Sequence, residues 1–342
     1  MSNQFKFLIA SILILYGCLE DITPPPFTGE LTTTAEMLLY FESNGDFINS
    51  NLAPPLADAE DVNINLDGYL VIDLRNPDDY LVGHIRNAIN KSSDSLYSFV
   101  EENHDSNYTK VILVSKNGQS SAYFASLLRL AGFNKVLSLK YGMASWNRDF
   151  ADSWLNTVGD SPNVTSYTNE AFPKNEFTDL PQIIFADPNS SVEENIKLRI
   201  EEIVRAGFNF NKEYILSISI LNDDYLICYG KSRLYNARIS GTMPGLGHPD
   251  GTVSYEDSPF YHFRSTEFLQ TLPLNQKITV YGYNGQLSAG LVAYLRVLGY
   301  SARTHLFGGN KLFYTRMIDD QELFDYAFSD SDINNFEYET GN

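Results

Sequence analysis

The sequence predicts an α/β protein of two tandem domains, each a mainly parallel sheet with helices on both faces. Three observations predict it. Short apolar runs ending in charge or a polar loop, GYLVIDLR (68–75) and KVILVS (110–115), have the character of strands buried on both faces of a parallel sheet. A helical pattern from Ser121 to Ala131, stopped at Gly132 and followed by the short strand KVLSL, supplies the alternation that makes βαβ units. The segment KITVYGYNGQLSAGLVAYLRVLGY (277–300) then repeats the stretch around VILVSKNGQSSAYFASLLRLAGF (111–133) at a constant offset of 167 positions. That offset takes Ser115 to Gly282, Gly118 to Gly285, Ser121 to Ser288, Arg129 to Arg296, Gly132 to Gly299 and Gly142 to Gly309. A chain of 342 residues has ample length for two such cores.

In chain order, residues 1–17 read as a lipoprotein signal peptide, because one Lys precedes an apolar run from Phe7 to Tyr16 that is too short to span a bilayer. Leu15, Tyr16, Gly17 and Cys18 resemble a bacterial lipobox, with Cys18 as the lipidation site and Glu20 and Asp21 resembling a surface-export signal. Residues 18–55, rich in Pro, Thr and Asn, form an N-terminal tether carrying one short helix at TTAEMLLYFES. Domain 1 covers 56–150 and a polar connector 151–195. Domain 2 covers 196–318, opening near the amphipathic helix VEENIKLRIEEIVRAGF. Residues 319–342 are an acidic tail, read as a solvated and partly frayed terminus.

The formal charge of −19 excludes nucleic acid as a partner and leaves the membrane to be reached through the lipid anchor only. Cys18 and Cys228 are the only cysteines, so lipidation of the first leaves one thiol and no intramolecular disulfide. The five histidines, at 84, 104, 248, 262 and 305, show no ligand spacing, so no metal is expected. Cys228 ends a strand and reads as a small buried core residue.

VIDLRNPDDYLVGHIRNAIN (71–90) carries Asp73 and Arg75 at a strand end, then Tyr80, Gly83, His84, Ile85 and Ala88. YGMASW (141–146) carries Gly142 and Trp146. These two segments resemble the opening and closing motifs of the rhodanese family, and the pair of copies resembles a tandem rhodanese of the thiosulfate sulfurtransferase type. The resemblance implies an Asp73–Arg75 ion pair, an interior His84 imidazole, and a six-residue loop after the second strand whose first residue is the catalytic Cys.

In this chain that loop is Ser115, Lys116, Asn117, Gly118, Gln119 and Ser120. Its second copy is Gly282, Tyr283, Asn284, Gly285, Gln286 and Leu287, with Phe313 aligned to Trp146. Neither Ser115 nor Gly282 can carry a persulfide, so the resemblance implies sulfurtransferase ancestry without a catalytic residue at either position. The twelve loop residues remain as candidate contacts for a small anion held by backbone amides.

The expected function is a lipid-anchored protein of the cell envelope, periplasmic or surface-exposed. It acts without a cofactor as a binding or scaffolding module for an envelope protein partner. The alternatives are a sulfurtransferase working through Cys228 and a hydrolase built on the amide cradle.

Overall fold

A computed structural model describes residues 33–104, 106–160, 167–185, 189–209, 224–236, 247–257 and 262–341. The signal peptide, Cys18 and the start of the tether lie outside them. The first half comprises α1 (Thr33–Ser43), β1 (Leu56–Ala57), α2 (Ala59–Ile64), β2 (Tyr69–Asp73), α3 (Pro77–Val82), β3 (Ile89–Asn90), α4 (Ser93–Asn103), β4 (Lys110–Val114), α5 (Gln119–Leu130), β5 (Val136–Leu139), α6 (Met143–Trp146) and α7 (Asp152–Leu155). The second comprises β6 (Tyr167–Thr168), α8 (Val192–Ala206), β7 (Asp224–Tyr229), α9 (Ser232–Tyr235), β8 (His248–Pro249), β9 (Val253–Tyr255), β10 (Lys277–Tyr281), α10 (Gln286–Val297), β11 (Ala302–Thr304), α11 (Gly309–Leu312) and α12 (Tyr314–Asp319).

The first sheet runs β1-β5-β4-β2-β3 and the second β11-β10-β7-β9, with every neighbour in both parallel. The second order repeats the last four strands of the first, so the two sheets are built on one plan. No helix among the described residues is long and apolar enough to cross a membrane.

The equivalent helices α5 and α10 lie against each other between the two sheets. Almost every residue of both is buried, which is why neither reads as a clean one-sided stripe. Gly290, in the middle of α10, allows the close approach: a Cβ there would meet Ser126 Oγ of α5 at 2.9 Å. Around this pair, α8 packs on α4 of the first half and on α1, with a capping box at Ser191 and Glu194 fixing its start.

Strand register shows that the repeat is not free of gaps. Val111 pairs with Val136 in the first sheet, and its equivalent Ile278 pairs with Ala302 in the second, so the offset falls from 167 to 166 between Gly299 and Ala302. Gly308 (φ 50°), rather than Gly309, therefore answers Gly142 (φ 64°). Both glycines are needed, because a Cβ on either would collide with a backbone oxygen of its loop, that of Ser115 or of Gly282. The same shift puts Leu312, not Phe313, at the position of Trp146.

Both termini cross to the opposite half. Residues 33–50 precede the first sheet yet dock on the second half: the Glu42 carboxylate accepts from the Ser265 amide (2.6 Å) and hydroxyl (2.7 Å), and Asp46 pairs with Arg264. The acidic tail returns to the first half instead of fraying. It forms an antiparallel bridge between His84 and Glu339, and Phe336 lies edge-on to Trp146 at 5.1 Å. Except for the exposed Phe324, its apolar residues face inward and its carboxylates mostly outward, so the charge run describes only one side of it.

Candidate functional site

In the first loop, α5 begins at Gly118 (φ 83°), and the turn aims the Gly118 and Ser121 amides at Ser115 Oγ, at 3.1 and 3.4 Å. Ser115 Oγ also lies 2.9 Å from Ser121 Oγ, which Ser138 contacts in turn at 2.8 Å. A closed hydroxyl network thus fills the cradle, and Ser115 is only 3% exposed. An anion entering here would have to displace the serine hydroxyl from both amides.

The Gln119 amide is already taken by Asn117 Oδ1 (3.2 Å), and the Asn117 carbonyl accepts from the Trp154 indole (3.1 Å). Lys116 alone points outward, into a hollow of about 190 Å³ shared with Arg75 and Met143; Ser120, next along, is half-buried.

The second loop keeps the same backbone with different contents. Gly285 (φ 81°) opens α10, Asn284 Oδ1 caps the Gln286 amide at 3.1 Å, and Ser288 meets Thr304 at 2.7 Å. At Gly282 a Cβ would lie 3.1 Å from the Tyr229 carbonyl, so a larger residue would crowd the neighbouring strand.

The two glutamines do not face a ligand. Gln119 Oε1 accepts from the Phe307 amide across the domain boundary (2.7 Å), and Gln286 Oε1 accepts from the Tyr141 amide (3.2 Å). Tyr141 and Phe307 are themselves equivalent under the 166 offset, both with positive φ. Each half therefore caps the other reciprocally.

The β2 opening motif behaves as a structural unit. Arg75 binds Asp73 through Nη2 to Oδ2 (2.6 Å), also donates to the Gly83 carbonyl (2.6 Å), and is buried. His84 stacks on Tyr80 with ring centres 3.9 Å apart, its Nδ1 3.0 Å from the Tyr80 carbonyl. Trp146 is buried and donates to the Glu337 carbonyl of the tail (2.9 Å).

Register gives the counterparts. Asp73 lies opposite Val114 and Cys228 opposite Tyr281, so Cys228 occupies the Asp73 position and Gly230 that of Arg75. Cys228 is wholly buried, and burial pushes its thiol up to about 12, leaving it protonated at neutral pH.

Gly230 has a consequence for the second loop. A Cβ there would sit 3.0 Å from the Tyr283 ring, so the glycine leaves room for a phenol where the first half has Arg75. The Tyr283 hydroxyl accepts from the Lys231 amide (2.7 Å) and donates to Asp257 Oδ2 (3.0 Å), while its ring stacks on Tyr326 at 4.0 Å. Above this ring opens a cleft of about 460 Å³, lined also by Asn284, Leu287, Pro54, Leu56 and Lys140. Burial raises the Asp257 carboxyl above the usual carboxylate range, with the Tyr283 hydrogen bond opposing it.

Of the twelve loop candidates, the structure brings Tyr283, Asn284 and Leu287 to this cleft and Lys116 to the smaller hollow. Sequence reasoning missed Lys231, Asp257 and Tyr326, which come from segments far apart in the chain. The one available signal was Tyr283, an aromatic standing where the first copy has the charged Lys116. Among the described residues no cluster of side chains suits a metal ion.

A parallel sheet in this order, with an amide-lined loop between strand and helix, defines a class of α/β domain, and the comparisons supply its family. Residues 58–149 match the family model of the rhodanese-like domain, and that part of the chain is a rhodanese-like domain. Similar solved structures include a rhodanese-related protein from Thermoplasma volcanium, 26% identical over 26% of this chain and 87% of that one, with a TM-score of 0.24. A probable thiosulfate sulfurtransferase is 16% identical, covering 71% of this chain and 93% of its own, with a TM-score of 0.26. The thiosulfate sulfurtransferase from Pseudomonas aeruginosa is 13% identical, covering 91% and 70%, also with a TM-score of 0.26.

Proposed function

We propose that this protein is a binding module of the cell envelope, anchored by a lipid on Cys18, whose two rhodanese-like halves do not transfer sulfur. One observation carries the reading: the atom at the family's catalytic position is a serine oxygen already bonded inside its own cradle, and in the second half there is no side chain at all. A hydroxyl starts far above a thiol in pKa, and two amide donors do not close that gap. Cys228 does not substitute, because a buried thiol raised to about 12 presents neither thiolate nor access.

What remains at the sheet's carboxyl edge is a cleft with aromatic, apolar and charged walls, suited to holding a ligand rather than cleaving one. The test is thiosulfate-to-cyanide turnover by the purified protein beside Cys228→Ser. Both should match the protein-free rate; turnover in the parent that vanishes in the variant would overturn the proposal.

The anchor is judged separately. In membrane fractionation Cys18→Ser should move the protein to the soluble fraction, and retention of the variant on membranes would reject lipidation.

A further inference from the structure

Three consecutive strands of the second sheet deliver charged or aromatic groups to one cleft: Lys231 follows β7, Asp257 follows β9, and Tyr283 follows β10. The carboxyl ends of parallel strands are where open α/β sheets take their ligands. A volume of about 460 Å³ lies within the range of small-molecule sites.

The two charges beside Tyr283 attract each other across the cleft but form no ion pair within 4 Å. Lys231 uses its backbone amide on the Tyr283 hydroxyl, and among the described residues its ammonium has no carboxylate partner, only the face of Tyr326 at 5.9 Å. Among the described residues Tyr283 donates to Oδ2 of the Asp257 carboxylate, while Oδ1, itself buried, has no side-chain partner. By contrast Lys140, at the far side, is matched by Asp58 at 3.8 Å. The same cleft is lined by the stacked Tyr283 and Tyr326 rings and by the apolar side chains of Pro54, Leu56 and Leu287.

A dianion fits this wall poorly, since the Asp257 carboxylate faces it and Asp325 stands at the rim. A simple amine leaves Lys231 unanswered, and a simple acid leaves Asp257 so. A ligand carrying both charges on one carbon, with a flat or branched apolar body, answers every group.

We propose that the cleft over the second loop binds a free amino acid with a bulky apolar side chain, its ammonium beside Asp257, its carboxylate towards Lys231, and its side chain against Tyr326 and Leu287. This deepens the binding-module reading and rests on it. No bond is made or broken.

Calorimetric titration of the intact protein with L-phenylalanine and L-leucine tests it, with phenethylamine, 3-phenylpropionate and thiosulfate as partial or opposing probes. The amino acids should bind at millimolar concentration or better, and each single-charge probe should bind about tenfold or more weakly, the loss expected for one charge-assisted hydrogen bond. Asp257→Asn, which keeps an acceptor for Tyr283, should erase the preference for phenylalanine over 3-phenylpropionate. Lys231→Met should erase the preference over phenethylamine, and unchanged melting temperatures would show both variants folded.

No heat with either amino acid, undiminished preferences in the folded variants, or tighter binding of thiosulfate would each overturn the inference. The turnover assay reads something different: silence there with no amino-acid binding removes only this ligand, whereas turnover alongside binding removes only the claim that the loops are inert.

Discussion

At Ser115 the Gly118 and Ser121 amides and the start of α5 converge on the side-chain oxygen, so a sulfur placed there would meet the same donors. Two effects would compete on a thiol placed there. Amide donors and the positive helix end favour the thiolate, while a site only 3% exposed favours the neutral form. At distances of 3.1 and 3.4 Å the donors act directly on the charge, whereas at Cys228 burial is the largest influence and outweighs the opposing Tyr281 hydrogen bond. Ser115→Cys should therefore titrate below the ~8.5 of a free thiol. Thiolate absorbance against pH in the Cys228→Ser background measures it, and a value above that of the free thiol would mean that burial outweighs the cradle. Ser115 and Gly282 were legible in the sequence, since the repeat points at both. Asp257 and Lys231 were not, because their meaning arises only where three loops converge around one phenol.

The paired helices α5 and α10 show how far element-level reading reaches and where it stops. Their existence, and the strands before them, follow from apolar runs bounded by Gly118 and Gly132 and by Gly285 and Gly299. Their mutual packing does not, although Gly290 and a nearly all-round burial are its sequence trace. The glutamines at the helix starts look like loop amides in either copy read alone. Only the arrangement of the two halves shows that each satisfies a backbone amide of the other, at Phe307 and Tyr141, where a positive φ turns the chain. The one-residue deletion in the turn after Gly299 is likewise invisible to an alignment that still pairs glycine with glycine. Hydrogen-bond register, not residue identity, exposes it. Nor does an apolar stripe on α1 say which of two similar cores it covers. The structure gives it to the second half, beside α8.

Over the whole molecule the crossing of the termini ties the halves together, and the tail allows that to be measured. Deleting residues 329–342 removes four carboxylates, taking the formal charge from −19 to −15 and relieving some self-repulsion. It also strips Phe336 from Trp146, removes the buried Ile333, and breaks the bonds that Trp146, Ser145 and His84 make to the tail. Exposed charges count for little at physiological salt, whereas two apolar side chains withdrawn from the core cost roughly 3 kcal/mol or more. The packing term wins, so the truncated protein should melt lower, by roughly 4 °C or more for a protein of this size. Trp146, one of only two tryptophans, becomes exposed in the folded state, so its emission should shift to longer wavelength before any heating. A truncated protein with unchanged melting and emission would show that the acidic end is a solvated extension after all. One that melts higher would show that charge repulsion across the acidic surface outweighs the strap.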